Sequence, residues 1–498
     1  MAGMRPTPAE VYGCLLARFE GTVPPPWLRE WLDQGLAGVL LFAGNITGRD
    51  QLADLTRQLR EHNPRVLIAA DEEGGIVTRV EAATGSSYPG NGALGAIDDV
   101  ELTRQVGRSI GAMLAGSGVS LDLAPVADTD TSGGSPVIGV RSFGATPDRV
   151  AAHTAAFVAG VQANGVGACA KHFPGHGRTT ADSHLELPSV PATLDDLRAC
   201  DLVPFRAAIE ADVRSVMTAH VLFPAIDDVP ATLSRRLLAG VLRDELGFGG
   251  VVITDALGMA AIGDGQDRAD GAVAALAAGA DLLCLPAGDR AQLRARDALA
   301  AAGRDGTLPR SRLDDAAARV SALAAWASPD PAARPDPALG LAAARRAMLA
   351  CGAMPGLPAP PYLLDAGGRM SAQLEDATAS LLGVLRGILP GTSGVRLTGP
   401  ADLDGLTARI EAVAGRPLIV VVRDAHVHHW QRELLRKSLA LRPDALVVGT
   451  GTTGDRELAG SAYLGTRGAS RASLVAAAMM IAGQDGDAGP AARKAGQP

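Results

Sequence analysis

Short continuous apolar runs alternate through the first two thirds of the chain with longer stretches whose apolar residues recur every three or four positions. The runs are Gly13–Phe19, Gly38–Phe42, Val66–Ala70, Val119–Leu123, Gly167–His172, Ser215–His220, Val251–Thr254 and Asp281–Leu285. Between them lie amphipathic segments such as Gln51–Glu61, Asp148–Ala163, Leu194–Ala211, Ser234–Leu246 and Arg268–Ala278. A strand that is apolar throughout is buried on both faces, and strands alternating with helices call for a parallel sheet. Eight such units predict a closed (β/α)8 barrel of the TIM type. An open doubly wound sheet is the competing arrangement. The strand count favours the barrel, as does the lack of a GxGxxG after an early strand. In a barrel, polar residues just after the strands face the mouth, so those positions read as functional first.

Around Trp326 the pattern breaks into a proline-spaced segment, Ser328 to Pro337, that reads as a stiff interdomain linker. Strand-like runs Tyr362–Ala366, Val395–Thr398, Leu418–Arg423 and Ala445–Gly449 then alternate with helical segments Ala372–Ile388, Leu403–Ala414, Trp430–Leu441 and Ser470–Ile481. The expected organisation is α/β throughout: a catalytic barrel over 1–326, a linker over 327–340, an αβα sandwich over 341–485 and a disordered tail over 486–498.

Composition narrows the classes of function. With 498 residues, 47% of them apolar and 20% charged, the chain has ample material for a large core. The net charge of −8 comes without any lysine-rich or arginine-rich run, so a nucleic-acid partner has no electrostatic footprint here. No stretch has the length of a membrane span, and the first residues lack the apolar core of a signal peptide, so a cytoplasmic protein is expected. The five cysteines, Cys14, Cys169, Cys200, Cys284 and Cys351, are widely spaced and read as small hydrophobes of a reducing compartment. Oligomeric state is not legible.

Candidate chemistry gathers at the predicted strand ends. Asp71 opens Asp71-Glu-Glu-Gly-Gly-Ile-Val-Thr-Arg79, where a carboxylate and an arginine on one glycine-containing loop either grip a hydroxylated ligand or form a surface ion pair. Arg141 lies in a glycine-bracketed loop after the fourth strand; Asp122 and Asp128 flank that strand end, either binding ligand or holding the loop. Asp255 follows its apolar strand directly, as a helix cap or as a nucleophile at the mouth. The densest stretch is Lys171-His-Phe-Pro-Gly-His-Gly-Arg-Thr-Thr-Ala-Asp-Ser-His184. His172, His176, Asp182 and His184 are acceptable metal ligands, but Phe-Pro-Gly between the first two excludes the rigid helical spacing that zinc pairs use. The alternative is a dyad in which Asp182 orients the imidazole of His184 for proton transfer.

Taken in order, these segments resemble glycoside hydrolase family 3, and within it the bacterial β-N-acetylglucosaminidases of the two-domain type. The resemblance rests on Asp71 to Arg79, Ala124-Pro-Val-Ala-Asp128, Val137-Ile-Gly-Val-Arg-Ser-Phe-Gly144, Lys171 to Gly177 with Asp182-Ser-His184, Val216-Met-Thr-Ala-His220 and Gly247 to Asp255. It implies a retaining, exo-acting glycosidase that removes terminal β-linked N-acetylglucosamine from muropeptide or chitin-type fragments. By the same resemblance Asp255 is the nucleophile, and His184 held by Asp182 is the acid and base. Asp71, Arg79, Arg141, Lys171 and His172 match positions that bind the terminal sugar. No cofactor and no metal are implied; the partner is a small oligosaccharide or glycoconjugate.

Two positions depart from the family pattern: arginine is frequent where Ile76 stands, and aspartate where Val140 stands. A histidine acid/base would not repel an anion as a carboxylate would, which leads to the expectation that phosphate competes with water as acceptor. The competing readings are a phosphorylase or β-glucosidase on the same scaffold, a metal-dependent barrel hydrolase and a non-catalytic sugar-binding protein. The glycines of the 171–184 stretch suggest a hinge that assembles the dyad when substrate binds, and His176 has no assigned role. Asp424-Ala-His-Val-His-His429 reads as loop chemistry of unknown purpose, with His426, His428 and His429 unassigned.

Overall fold

The computed structural model describes residues 8–133, 135–179, 187–259, 266–352, 354, 357, 359–368 and 379–484. The strands of the first half are β1 (Leu15–Ala17), β2 (Gly38–Leu41), β3 (Leu67–Ala70), β4 (Glu72–Gly74), β5 (Val77–Thr78), β6 (Leu121–Asp122), β7 (Gly167–Phe173), β8 (Ser215–Thr218), β9 (Val251–Ile253) and β10 (Leu283–Cys284). Eight of them form one parallel sheet in the order β10-β1-β2-β3-β6-β7-β8-β9. A parallel bridge between Ile253 and Leu282 joins its two ends, so the sheet closes into the expected barrel.

The strand residues are buried on both faces, as their uninterrupted apolar runs require. Leu16, Leu40, Leu67, Leu121, Met217 and Ile253 meet in one core. Around the sheet run helices such as Arg49–His62, Val100–Gly116, Pro147–Gln162 and Gln266–Ala278. The helix at Val100 starts where the Asp99 side chain accepts the Leu102 N–H at 3.0 Å, satisfying one of its free donors.

The later strands are β11 (Leu349–Gly352), β12 (Tyr362–Asp365), β13 (Ser393–Arg396), β14 (Leu418–Val422), β15 (Leu446–Gly449) and β16 (Ala462–Gly465). They form a second sheet in the order β11-β16-β15-β14-β12-β13, parallel except for β11. Alternate residues of β14 serve opposite faces: Ile419 and Val421 join one core, and Leu418, Val420 and Val422 join the other. This is the αβα sandwich, with two strands, β11 and β16, beyond the four that the sequence pattern marks.

The chain divides into two compact units, and the division does not follow the sequence in one cut. One unit holds residues 1–73, 99–138 and 142–335; the other holds 74–98, 139–141 and 336–498. The helix Pro337–Ala347 begins inside the stretch read as linker. The expected tail over 486–498 lies outside the described residues.

Candidate active site

Within the barrel unit, the functional candidates follow the strands. Asp71 comes directly after β3, Lys171 and His172 close β7, and Asp255 comes two residues after β9. The Lys171 ammonium, only 2% of the residue being exposed, donates to Asp71 Oδ1 and to Glu73 Oε1, both at 2.8 Å. A buried ammonium held by two carboxylates is fixed in place, because leaving either charge alone in low dielectric is costly. Asp71 keeps 15% side-chain exposure, so it is the member of this cluster open to a ligand.

Behind that pair lies Asp122 on β6, fully buried, whose Oδ1 accepts the Glu72 N–H at 3.1 Å. Burial, reinforced by the neighbouring Glu72 charge, pushes its carboxyl well above the usual range.

The 171–179 segment is organised by Asp128, whose role the sequence left open. Its carboxylate accepts the backbone N–H of His172 at 3.2 Å, that of His176 at 2.6 Å, and the His172 Nδ1 hydrogen at 2.7 Å. His172 is thereby turned so that its other ring nitrogen is not used by Asp128. The glycines here are packed rather than hinge-like: a Cβ at Gly177 would lie 2.1 Å from the Thr129 carbonyl oxygen, which only glycine avoids. Arg178 adds an ion pair to the buried Asp201 at 2.8 Å. Burial raises the Asp201 carboxyl to about 6, with Arg178 opposing the shift.

His176 is buried, with its ring 5.7 Å from that of His172. Thr179 Oγ1 donates to the His176 carbonyl at 2.8 Å, so this hydroxyl accepts from His176 Nδ1, also 2.8 Å away. Desolvation, with His172 adding to it, lowers the imidazole to about 4; the Asp128 charge, and to a lesser degree that of Asp255, only partly offsets this. His176 is thus a neutral imidazole carrying its hydrogen on Nδ1.

Asp255 is partly exposed, and its Oδ1 accepts the N–H of the next residue, Ala256, at 2.7 Å. No helix starts at Asp255 among the described residues; a turn follows it, which removes the cap reading. The loop is steadied by buried His220, whose Nε2 donates to the Ala256 carbonyl at 3.1 Å while Nδ1 meets Thr232 Oγ1 at 2.7 Å. Glu73, Asp128 and His220 are the supporting residues that sequence reasoning did not assign. The signal available for each was its position at or just after a strand.

Asp182 and His184 lie outside the described residues. Arg79 and Arg141 are buried in the second unit, where the Asn91 side-chain amide donates to the Arg141 carbonyl at 2.7 Å. The two departures from the family pattern, Ile76 and Val140, are buried in that same unit, in one apolar cluster with Leu381, Val421 and Leu474. In the 424–429 loop, His426 Nδ1 and backbone N both meet the buried Asp455 carboxylate at 3.1 Å, and Asp424 accepts the Thr452 N–H at 2.7 Å. Among the described residues, no group of three or more His, Cys, Asp or Glu side chains has metal-holding geometry. No described helix is long and apolar enough to cross a membrane.

A closed parallel barrel with carboxylates, a lysine and histidines gathered after its strands has the layout of a barrel enzyme working at its strand ends. The family model described as the glycosyl hydrolase family 3 N-terminal domain matches residues 27–323. The chain belongs to glycosyl hydrolase family 3 and is a glycosidase. A beta-hexosaminidase of Xanthomonas campestris pv. campestris is 40% identical over 299 residues, 58% of this chain and 88% of that protein. A solved family 3 β-N-acetylglucosaminidase from Paenibacillus sp. is 30% identical with a TM-score of 0.86, covering 97% of this chain and 98% of its own. NagZ of Neisseria gonorrhoeae is 32% identical with a TM-score of 0.54; 98% of its length matches 64% of this chain.

Proposed function

We propose that this chain is an exo-acting β-N-acetylglucosaminidase that retains the anomeric configuration. The observation that supports it most is the convergence of Asp71, Lys171, His172 and Asp255 at the strand ends of one barrel, with Asp255 partly exposed and near enough to His176 to act on it electrostatically.

Asp71, Lys171 and His172 hold the hydroxyls of the terminal sugar, with Arg79 and Arg141 as further ligands. Asp255 attacks the anomeric carbon while His184, oriented by Asp182, gives its proton to the departing oxygen; the glycosidic bond breaks as the ester to Asp255 forms. Water then attacks the same carbon, returns a proton to His184 and releases Asp255. Both transition states carry positive charge on the sugar ring. The carboxylate of Asp255, placed where the covalent bond forms, is the group that meets that charge directly.

The substrates are muropeptide or chitin-type fragments; the names of the relatives, beta-hexosaminidase and beta-N-acetylglucosaminidase, support the terminal sugar of that class. Aryl β-glycosides with and without the 2-acetamido group test the reading. Turnover of the N-acetylglucosaminide at least about a hundredfold above the glucoside is expected; the reverse preference would place the chain in the β-glucosidase branch. The same assay run in phosphate and in phosphate-free buffer tests phosphate as acceptor: sugar 1-phosphate is expected in the first, and identical products in both would remove it.

A further inference from the structure

The second unit gathers the sandwich together with two short pieces from the barrel half of the sequence, residues 74–98 and 139–141. Those pieces carry Arg79 and Arg141. Their attachment to the sandwich is extensive. Ile76, Val77 and Val140 are buried in the same apolar core as Leu381 and Leu385 of one helix, Val421 of β14 and Leu474 of the last helix. Val140 directly precedes Arg141, and Val77 stands two residues before Arg79. Each arginine therefore leaves the backbone beside an anchor sunk in the sandwich core.

A second attachment is polar and lies at the start of the last helix, Arg471–Ile481. The Ala472 N–H donates to the Ser86 carbonyl at 3.2 Å. Arg471 donates from Nε to the Gly85 carbonyl at 3.4 Å and from Nη2 to Ser87 Oγ at 2.5 Å. Ser87 in turn donates to both oxygens of Glu81, from N at 2.7 Å and from Oγ at 2.6 Å, and Glu81 lies two residues beyond Arg79. The helix Pro337–Ala347 presses on the same turn: a Cβ on Gly340 would lie 2.0 Å from the Ser87 carbonyl oxygen. Arg79 is thus gripped on one side through Val77 and on the other through Glu81.

We propose that the C-terminal sandwich is the holder of the sugar-binding arginines, and that Arg471 is a positioning residue acting through Ser87 and Glu81 on Arg79. This rests on the reading of Arg79 and Arg141 as ligands of the terminal sugar. An arginine fork binds well only when its long side chain is already ordered, so a loosened loop weakens sugar binding with little effect on the bond-breaking step.

The test uses the full chain and steady-state kinetics on an aryl N-acetyl-β-glucosaminide, with thermal unfolding measured alongside. Arg471→Ala is expected to raise KM roughly tenfold while kcat stays within about twofold, and Arg471→Lys to recover part of the loss. Should Arg471→Ala not fold, Ser87→Ala removes the hydroxyl relay but leaves the Ser87 N–H on Glu81 and the direct Arg471–Glu81 ion pair at 3.8 Å, so a smaller rise in KM is expected and an unchanged KM overturns the relay. Arg79→Ala separates the two claims. If it raises KM and a folded Arg471→Ala does not, the positioning proposal is overturned while the sugar-binding reading stands. If Arg79→Ala leaves KM unchanged, the sugar-binding reading itself fails, and the proposal with it.

Discussion

At the mouth of the barrel one buried lysine is held by carboxylates; ahead of β10, in the same barrel, one buried aspartate is held by arginines. Asp281 receives Arg312 at 2.7 Å and Arg319 at 3.4 Å on one oxygen, and Arg243 at 2.5 Å with the Val252 N–H at 3.0 Å on the other. The spare hydrogens of the arginines are used on backbone carbonyls: Arg243 donates to Phe248 and Gly250, and Arg312 to Leu276. Both oxygens of Asp281 are spoken for, and none of its surface is exposed. The Lys171 cluster differs in the property that matters for function. Asp71, which holds the Lys171 ammonium together with Glu73, keeps part of its side-chain surface exposed. Burying charge against charge is the same physics in both places. A charge cluster sealed from solvent makes a clamp, and one that keeps a carboxylate exposed after the barrel strands stands where a ligand can reach it.

This contrast can be broken most severely at Asp255. Asp255→Ala should lower kcat/KM by roughly ten-thousand-fold while the unfolding midpoint moves little, because the residue is partly exposed. Asp281→Asn should do the opposite. Three guanidiniums lose their counter-charge, which costs about 3–5 kcal/mol of stability, while kcat per folded molecule stays near that of the wild type. Chemical denaturation and active-site-normalised kinetics measure both. A catalytic defect in folded Asp281→Asn, or a large loss of stability in Asp255→Ala, would erase the distinction between clamp and site.

Smaller effects sharpen the comparison within the mouth itself, through pH. The folded His176 titrates near 4 rather than 6.5, so between these values the unfolded chain binds the extra proton and acid destabilises the fold. The shift corresponds to about 3 kcal/mol, fully present above pH 6.5 and lost as pH falls towards 4. Asp201 acts with the other sign. Its folded value near 6 lies above the ordinary 3.8, so its contribution is present at low pH and is lost as pH rises through 6, with a similar magnitude of about 3 kcal/mol. The two offset each other in the wild type. Relative to the wild type, His176→Gln should become less costly as pH falls from 6.5 to 4, and Asp201→Asn less costly as pH rises from 4 to 6. Urea melts at several pH values read these slopes; parallel curves for all three proteins would contradict them.

Much of the fold was legible because its signals are continuous. Eight apolar runs bounded by polar loops leave a parallel barrel as the economical solution, and the alternation of Ile419 and Val421 with Val420 and Val422 marks a sheet covered on both sides. The strands β11, Leu-Ala-Cys-Gly, and β16, Ala-Tyr-Leu-Gly, escaped because small residues and a closing glycine interrupt each, and β11 follows directly on a helix, so neither stands out as an apolar run. The candidate site was legible at Asp71, Lys171, His172 and Asp255, whose residue types stand out after apolar strands. Asp128 was not, since its partners His172 and His176 lie more than forty residues away and nothing in its own neighbourhood tells a brace from a ligand. The same holds for Ile76 and Val140. In the sequence they stand only as departures from a motif, whereas the sandwich core that buries them belongs to residues hundreds of positions later.

The central claim is that Asp255 forms the covalent bond to the sugar, and trapping tests it most directly. The enzyme is incubated with a 2-acetamido-2-deoxy-5-fluoro-glycosyl fluoride, whose electron-withdrawing fluorine slows release of the glycosyl-enzyme, and the digested protein is mapped by mass spectrometry. The account predicts a single added sugar on the peptide that contains Asp255, and none in Asp255→Ala. A label on another carboxylate, or turnover of the reagent to an inverted product without any label, would contradict it.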